Sequence, residues 1–500
     1  MGAPMPMPAT LLASRYNFSF VHGERVVLFN GRTGVSWVLE GEAAASLGAE
    51  LSSAVQAWSS QGWHADVLDR LIQGGFLVDP DFDEVAEVRR QFWNARREAP
   101  MVVTITTTLD CNLACYYCYE ERSEQRLDAP DAATIARWVT DRLDASGKRS
   151  LHVDWYGGEP LLNPDLIEVL SQSLQALCRE RGVAYAASIV SNGTLWPDDV
   201  GAFVARHAIR EAQISLDGLE HEHNRRRRYR RQHRPDDGTS SFTKAVALID
   251  ALLDHVRVDL RVNIDPGNAG DAVPLMNMAR ERGWFGRRFP IVVAPARLAQ
   301  YSERSKFMLD HGLDSRSFDA LSSQMRSECG DSVRFEDPYV SNGQLQPRMS
   351  VCAALADDSV VFGADKALYR CGLQVSEPSR AVGKLHATSR RVIPIQPLNA
   401  TVAAASDQQW WTTYDPTRES RCGGCSFLPL CWGGCPKHHL ERDAQALQEQ
   451  CGYWRRNLAR YVLTPWIDAA TLTREALAEL DDTAQFRPGT SGSREACTGG

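Results

Sequence analysis

The sequence predicts an α/β protein: a partial (β/α)6 barrel, preceded by a winged-helix-like module and followed by a cysteine-rich domain. Three observations predict it. From Met101 apolar strands alternate with amphipathic helices, the pattern of a parallel sheet. Before that, residues 16–39 alternate as three short strands and lead into helical patterns. After it, residues 345–455 hold seven cysteines with little periodic structure, so metal is expected to stand in for a hydrophobic core.

Five hundred residues exceed one core and imply two or three domains. With 55 Lys and Arg against 63 Asp and Glu, the net charge of −8 argues against nucleic acid as an obligatory partner. Met1–Ser14 lacks the basic and apolar regions of a secretory signal, and no apolar run approaches the roughly 18 residues of a membrane span. Pro6 interrupts a myristoylation pattern. These features predict a cytoplasmic protein with no membrane partner. Thirteen cysteines in a reducing compartment then read as metal ligands.

The elements follow in order. Tyr16–Phe20, Val26–Phe29 and Val35–Leu39 read as strands, with the turn Asn30–Gly34 between the last two. Helical patterns at 41–48, 50–60 and 64–74 complete a module over 1–82, and a linker helix occupies 83–100. The barrel spans 101–300, with strands Val102–Thr107, Leu151–Tyr156, Ala187–Ser191, Ala212–Leu216, Val258–Ile264 and Pro290–Ala294 and helices such as Asp131–Ser146 and Asp165–Arg181. A connecting segment (301–344), the cysteine domain (345–455) and a C-terminal helix with a disordered tail (456–500) complete the chain. In such sheets the chemistry sits at the carboxyl ends of the strands.

The motifs fall there. After the first strand comes Cys111-Asn-Leu-Ala-Cys115-Tyr-Tyr-Cys118. Three thiolates from one short loop leave a four-iron cluster one ligand short. A zinc site lacking a ligand, or cysteines acting as small hydrophobes, are the plainer readings of this triplet alone. After the second strand, Gly157-Gly158-Glu159-Pro160 lets the backbone approach a ligand closely, though glycine and proline also mark ordinary turns. The third and fourth strands lead into Ser191-Asn192-Gly193-Thr194 and Ser215-Leu216-Asp217-Gly218, short polar loops able to bind hydroxyls or a carboxylate. A basic run follows, Arg225–Arg228 with Arg230, Arg231 and Arg234. A solvated loop is its ordinary role, but one arginine is expected to turn inward toward a ligand carboxylate.

On Cys111, Cys115, Tyr117 and Cys118, the Gly-Gly-Glu-Pro string and the serine-bearing strand ends, residues 101–295 resemble the radical S-adenosylmethionine (AdoMet) superfamily. The resemblance implies a TIM-like partial barrel whose three thiolates hold a 4Fe–4S cluster with an open iron that chelates AdoMet. It places Tyr117 among the AdoMet-binding residues, with Gly157, Gly158 and Glu159 at the methionine amine, Ser191 and Asn192 near the ribose, and Ser215 with Arg227 at the carboxylate. One-electron reduction of the sulfonium would give a 5′-deoxyadenosyl radical that removes hydrogen from an inert C–H bond.

Downstream, Cys422-x2-Cys425-x5-Cys431-x3-Cys435 and Cys451, with Phe427-Leu-Pro-Leu and Trp432-Gly-Gly between, resemble the SPASM extension, and Cys352 and Cys371 complete a seven-cysteine set. The resemblance implies two auxiliary 4Fe–4S clusters. Cys422, Cys425, Cys431 and Cys451 would hold one, and Cys352, Cys371 and Cys435 the other. Two departures stand out: Lys366 occupies a position that is often Gly, and the second set lacks a fourth thiolate, with Cys329 as a candidate and an open iron as the alternative. Cys178 reads as core and Cys497 as tail.

SPASM proteins mostly modify peptides, and the N-terminal module resembles by pattern the RiPP recognition element, which captures a leader peptide as an added strand. A structural cap is its plainer role. The leading expectation is a peptide maturase, an oxidoreductase that installs a thioether or carbon–carbon crosslink in a ribosomal precursor peptide with a leader, supplied with electrons by a reductase, flavodoxin or ferredoxin. An anaerobic sulfatase-type maturase that forms formylglycine is the nearest alternative, with a catalytic acid that remains unassigned. A non-enzymatic Fe–S electron carrier is the alternative of another class.

Overall fold

The computed structural model describes residues 10–466, except 23, 42, 53–56, 60–63, 301–304, 330–333, 336–338, 342, 387–390 and 395–401, together with the pair 485–486. The tail after 486, including Cys497, lies outside the described residues. The chain divides into two compact units: Met1–Glu98, Asp337–Val351 and Thr413–Gly500 form one, Ala99–Glu336 and Cys352–Thr412 the other.

The first unit begins with β1 (Thr10–Ala13), β2 (Asn17–His22), β3 (Arg25–Asn30), β4 (Ser36–Glu40), α1 (Ala43–Ser52), β5 (Ala57–Ser59), α2 (Ala65–Gln73), β6 (Leu77–Val78) and α3 (Glu84–Glu98). Strands β2, β3 and β4 form an antiparallel meander, as the alternation predicts. Its period of two separates two cores. Val26 and Leu28 face Leu51, Leu68 and Leu71 of α1 and α2. Phe18, Phe20, Val27 and Phe29 face the opposite side. The helix predicted over 50–60 is not formed. Instead α1 runs to Ser52, and β5 pairs antiparallel with β1, so a ladder with a distant strand satisfies that backbone.

The second unit carries β7 (Met101–Thr106), α4 (Ala129–Ser146), β8 (Ser150–Tyr156), α5 (Pro164–Arg181), β9 (Ala184–Ser191), α6 (Val200–Arg206), β10 (Ile209–Ser215), α7 (Glu220–Arg226), α8 (Ser241–Leu252), β11 (Arg257–Ile264), α9 (Ala272–Glu281), β12 (Ile291–Arg297), α10 (Met308–His311), α11 (Ser315–Cys329) and β13 (Arg334–Phe335). A hairpin, β14 (Val340–Ser341) and β15 (Gln344–Leu345), belongs to the first unit. The chain returns to the second with β16 (Val360–Phe362), β17 (Ala367–Tyr369), β18 (Gly383–His386) and β19 (Arg391–Pro394), followed by α12 (Val402–Thr413). Helices α13 (Leu428–Cys431), α14 (Pro436–Glu441) and α15 (Ala444–Leu463) and strand β20 (Gln485–Phe486) complete the first unit.

The six predicted barrel strands are β7 to β12, side by side and parallel. Among the described residues they belong to an eleven-stranded sheet, extended by β13 beyond β12 and by β16 to β19 beyond β7. Burial alternates strictly along β8: Leu151, Val153 and Trp155 are buried, Ser150, His152, Asp154 and Tyr156 half-buried. The apolar face packs on α4, α5, α8 and α9 through Ile135, Leu170, Ile249 and Leu275. Cys178 is part of that core, and so is Cys329, whose carbonyl accepts from Arg280.

The segment 345–455, predicted to have little periodic structure, contains β16 to β19 and most of α15, whose Trp454, Leu458 and Val462 pack on the Phe18 face of the first unit. The unusual Lys366 has a physical account. It lies in the turn between β16 and β17 with φ of +64°, a left-handed conformation that favours glycine. Its ammonium is held 3.0 Å from Asp128 and 2.9 Å from Asp131, the capping-box pair at the start of α4. Lys366→Ala and Lys366→Gly both remove that ion pair, but only glycine relieves the backbone. The alanine variant is expected to be less stable than the glycine variant by about 1 kcal/mol in denaturant titration.

Candidate active site

The loop between β7 and α4 carries Cys111, Cys115 and Cys118 and has little regular structure of its own. Neighbouring strand ends hold it. From the loop after β8, the amides of Gly158 and Glu159 donate to the carbonyls of Thr108 and Asp110, both at 3.0 Å. A Cβ on Gly157, which has φ of +142°, would lie 2.4 Å from the Thr108 carbonyl oxygen; one on Gly158 would lie 2.3 Å from that of Asp110. Glycine is therefore required for this approach.

The Glu159 carboxylate is fully buried and faces the next loop rather than a ligand. It accepts from the Asn192 amide at 2.8 Å, the Ser191 hydroxyl at 3.0 Å and the Leu161 amide at 3.2 Å. Burial pushes its carboxyl up to about 7 against those hydrogen bonds. Asn192 Nδ2 in turn donates to Asn112 Oδ1 at 2.8 Å and to Cys111 Sγ at 3.8 Å. Asn112 Nδ2 donates to Thr194 at 2.8 Å. Of the predicted ligand contacts at Gly157–Glu159, the amides of Gly158 and Glu159 and the Glu159 carboxylate are thus engaged within the protein.

On the other side the basic run does what its composition conceals. Leu113 and Tyr229 form an antiparallel bridge; the Ala114 amide donates to the Arg228 carbonyl at 2.8 Å, and the Arg230 amide to that of Asn112 at 2.9 Å. The Arg230 side chain pairs with Asp110. Two arginines turn inward, not one. Arg226 and Arg227 are both buried, among Tyr116, Tyr117, Asp217, Asn263 and Asp265. Ser215 ends β10 and is also buried.

The three thiols belong to one apolar cluster with Leu113, Tyr117, Tyr229, Leu298 and Met308, and none is in a disulfide. Burial, with Glu159 and Cys115 nearby, pushes the Cys111 thiol up to about 12; burial, with Glu120 and Cys115, pushes Cys118 up to about 11. Bound iron reverses that balance by stabilising thiolate. Among the described residues no three His, Cys, Asp or Glu side chains converge on a single ion. A cube distributes its thiolates over separate irons, so the apolar surroundings and the N–H donors aimed at Cys111 Sγ fit a cluster.

Sequence reasoning missed a polar group at the same edge. The Tyr119 and Tyr156 hydroxyls are 2.5 Å apart, and burial pushes the neighbouring Glu120 carboxyl up to about 7, opposed by a hydrogen bond with Tyr156 and by Arg122. Cys371 is close enough to Tyr119 to add to the rise of its pKa, behind burial, Glu120 and Cys118. The position of Tyr156, the residue before Gly157 at the end of a barrel strand, was the available signal. Of the remaining cysteines, Cys352 is exposed and lies with Cys371 in the second unit. Cys422, Cys425, Cys431, Cys435 and Cys451 lie in the first. There, burial raises the Tyr414 hydroxyl, with Cys422, Cys431 and Cys435 close enough to add to it, while Cys425 and Cys431 pack beside Phe427 and Leu430.

Residues 105–266 match the Radical SAM superfamily. The chain carries a radical SAM domain, and the protein is an enzyme. It is 26% identical over 357 residues to the serine-type anaerobic sulfatase-maturating enzyme of Klebsiella aerogenes, a match covering 69% of this chain and 81% of that one. It is 29% identical over 168 residues to the mycofactocin maturase MftC of Mycobacterium ulcerans, covering 33% of this chain and 40% of that one. In fold it is similar to native anSMEcpe with bound AdoMet, with a TM-score of 0.53 and 16% identity over 75% of this chain and all of that one. No helix among the described residues is long and apolar enough to cross a membrane.

The glycine contacts make a direct prediction for the radical SAM domain. In Gly158→Ala the new methyl meets backbone, which cannot rotate away, so the loop bearing Cys111 must shift. After anaerobic reconstitution, the AdoMet-responsive paramagnetic signal of the reduced protein is expected to fall about tenfold or more, a loss of about 1.4 kcal/mol or more in cluster binding. A wild-type signal would show that this contact does not set the loop.

Proposed function

We propose that the protein is a radical SAM maturase that modifies a peptide or protein substrate in the cytoplasm. The observation that carries the reading is the interlock at the strand ends, where the glycine loop, the Ser191–Thr194 loop and the basic run all converge on the three-cysteine loop. When bound, AdoMet and the reduced cluster supply a radical that takes hydrogen from an unactivated C–H bond. Cys111, Cys115 and Cys118 would hold the cluster. The Gly157 and Gly158 carbonyls, which accept no hydrogen bond among the described residues, are suited to the methionine amine. Ser191 and Asn192 would lie near the ribose, and Ser215 and Arg227 near the carboxylate. The apolar residues packed around the thiols would exclude water from the radical.

The C-terminal cysteines would hold two auxiliary clusters, with Cys422, Cys425, Cys431 and Cys451 on one and Cys352, Cys371 and Cys435 on the other. Cys329 is occupied in the apolar core, which favours an open iron over a fourth thiolate from that residue. In the first unit, β20 pairs antiparallel with the β2 edge, which leaves β4 as the other edge of that sheet among the described residues, and a leader peptide would add there as a strand. A crosslink in a ribosomal peptide is the first reading of the product. The 357-residue similarity to a serine-type sulfatase-maturating enzyme favours a second, oxidation of Ser or Cys to formylglycine.

Reconstituted anaerobically with a chemical reductant and AdoMet, the protein is expected to form 5′-deoxyadenosine, with Cys115→Ala reducing this to background. No 5′-deoxyadenosine from the wild type would overturn the reading. Crosslinking and serine oxidation both remove two hydrogens from the peptide, so hydroxylamine trapping is needed to separate them; only formylglycine gives an adduct. Cys425→Ala is expected to retain AdoMet cleavage and lose peptide modification. Equal loss of both would place Cys425 in folding instead.

A further inference from the structure

Tyr116 and Tyr117, the two residues between Cys115 and Cys118, are each tied to an acid and an arginine. The Tyr117 hydroxyl donates to Asp217, beyond the end of β10, and accepts from Arg227, whose Nη1 lies 3.6 Å from the same carboxylate. The Tyr116 hydroxyl donates to Asp265, beyond the end of β11, and accepts from Arg226 at 2.8 Å, with Arg226 2.9 Å from Asp265. The Arg226 guanidinium also lies over both rings, 5.3 Å and 5.2 Å from their centroids, and 3.9 Å from Asp217. Asn263 closes the group, its amide and its Nδ2 both donating to Asp217 at 3.1 Å.

Consecutive tyrosines thus meet consecutive arginines through two aspartates from neighbouring strand ends. The side chains of Asp217 and Arg226 are fully buried and that of Arg227 nearly so. Buried ion pairs contribute little net stability, yet removing one partner leaves an uncompensated charge at high cost. Here that charge would lie beside the cluster loop, since Cys115 is close enough to act electrostatically on both Arg227 and Tyr117. Arg227 Nε is buried without a hydrogen-bond partner, a donor still available to a ligand.

We propose that Asp217 is a positioning residue that holds Arg227 and Tyr117 together, fixing the loop between Cys115 and Cys118 and neutralising the arginine beside the cluster. The proposal rests on the reading that the three thiolates hold that cluster and that Arg227 faces AdoMet. Asp217→Asn keeps the shape and removes the negative charge. In the reconstituted full-length protein, the midpoint potential of the AdoMet-responsive cluster, followed by its paramagnetic signal, is expected to rise. A tenfold change in the redox equilibrium, about 59 mV for one electron, is the expected size. AdoMet affinity is expected to weaken about tenfold, because Arg227 is no longer held in place.

Asp144→Asn removes a charge at the exposed Arg181 ion pair and is expected to leave both readouts unchanged. An iron-loaded Asp217→Asn protein with wild-type potential and AdoMet affinity overturns the proposal. If that variant does not load iron, Tyr117→Phe decides: about tenfold weaker AdoMet binding at full iron content supports the positioning role, and wild-type binding overturns it. A wild-type protein that holds the cluster but binds no AdoMet would sink the functional reading instead, with the potential shift still readable on the signal that Cys115→Ala removes.

Discussion

Two backbone hydrogen bonds, from the amides of Gly158 and Glu159 to the carbonyls of Thr108 and Asp110, anchor the start of the cysteine loop to the neighbouring strand end. That loop contains almost no regular structure, so its own backbone cannot place three thiols. The neighbouring strand end supplies partners for groups that burial would otherwise leave unpaired. The approach is possible only because Gly157 and Gly158 lack side chains. A glycine pair that could be read as ligand-binding backbone is, in the first instance, a backbone-packing device for the loop that carries the cysteines.

From that contact the remaining connections follow the sheet order. Glu159, on the same turn, holds the Ser191–Asn192 loop from β9; Asn192 and Asn112 then tie that loop back to Cys111. The Arg228–Arg230 backbone holds the other side. Hydrogen bonds therefore join the cysteine loop to its neighbours on two sides. An N–H donor aimed at Cys111 Sγ would also tune a cluster held there, because hydrogen bonds to cluster sulfur stabilise the more negative, reduced state.

How much of this was legible depends on whether the partner is local. The barrel strands show a period of two against helices with a period of 3.6, and both survive in the sequence because one face of each element is buried in a single core. The cysteine triplet and the glycine pair are local strings. The basic run is different. Seven arginines within ten residues read as a solvated loop, and nothing in their spacing reveals that Arg226 and Arg227 find buried acids at residues 217 and 265. That pairing depends on β10 and β11 being adjacent and parallel. The missing helix at 50–60 has the same cause, since β5 owes its form to a strand more than forty residues earlier. Lys366 lies between these cases: its departure from glycine was visible, but the left-handed backbone and the two aspartates that hold it were not.

The face of the sheet that does not pack on the helices shows why the strand ends keep their spacing. Below the site, Asp154 of β8 accepts from Thr104 of β7 at 3.1 Å, from Ser188 of β9 at 2.6 Å and from His152 at 3.1 Å. Burial works against its charge, but these hydrogen bonds outweigh it and hold the carboxyl below its ordinary range. On β10 and β11, Glu211, Arg257 and Asp259 form a second ion-paired group. Side-chain bonds thus cross between neighbouring strands on the face that lacks an apolar core, where packing alone would not fix lateral position. A radical site assembled from loops on separate strands needs that spacing, because a misplacement of about 1 Å at the reacting atoms can cost a hundredfold in rate. The polar rows below the loops therefore serve the same geometric requirement as the hydrogen bonds within them.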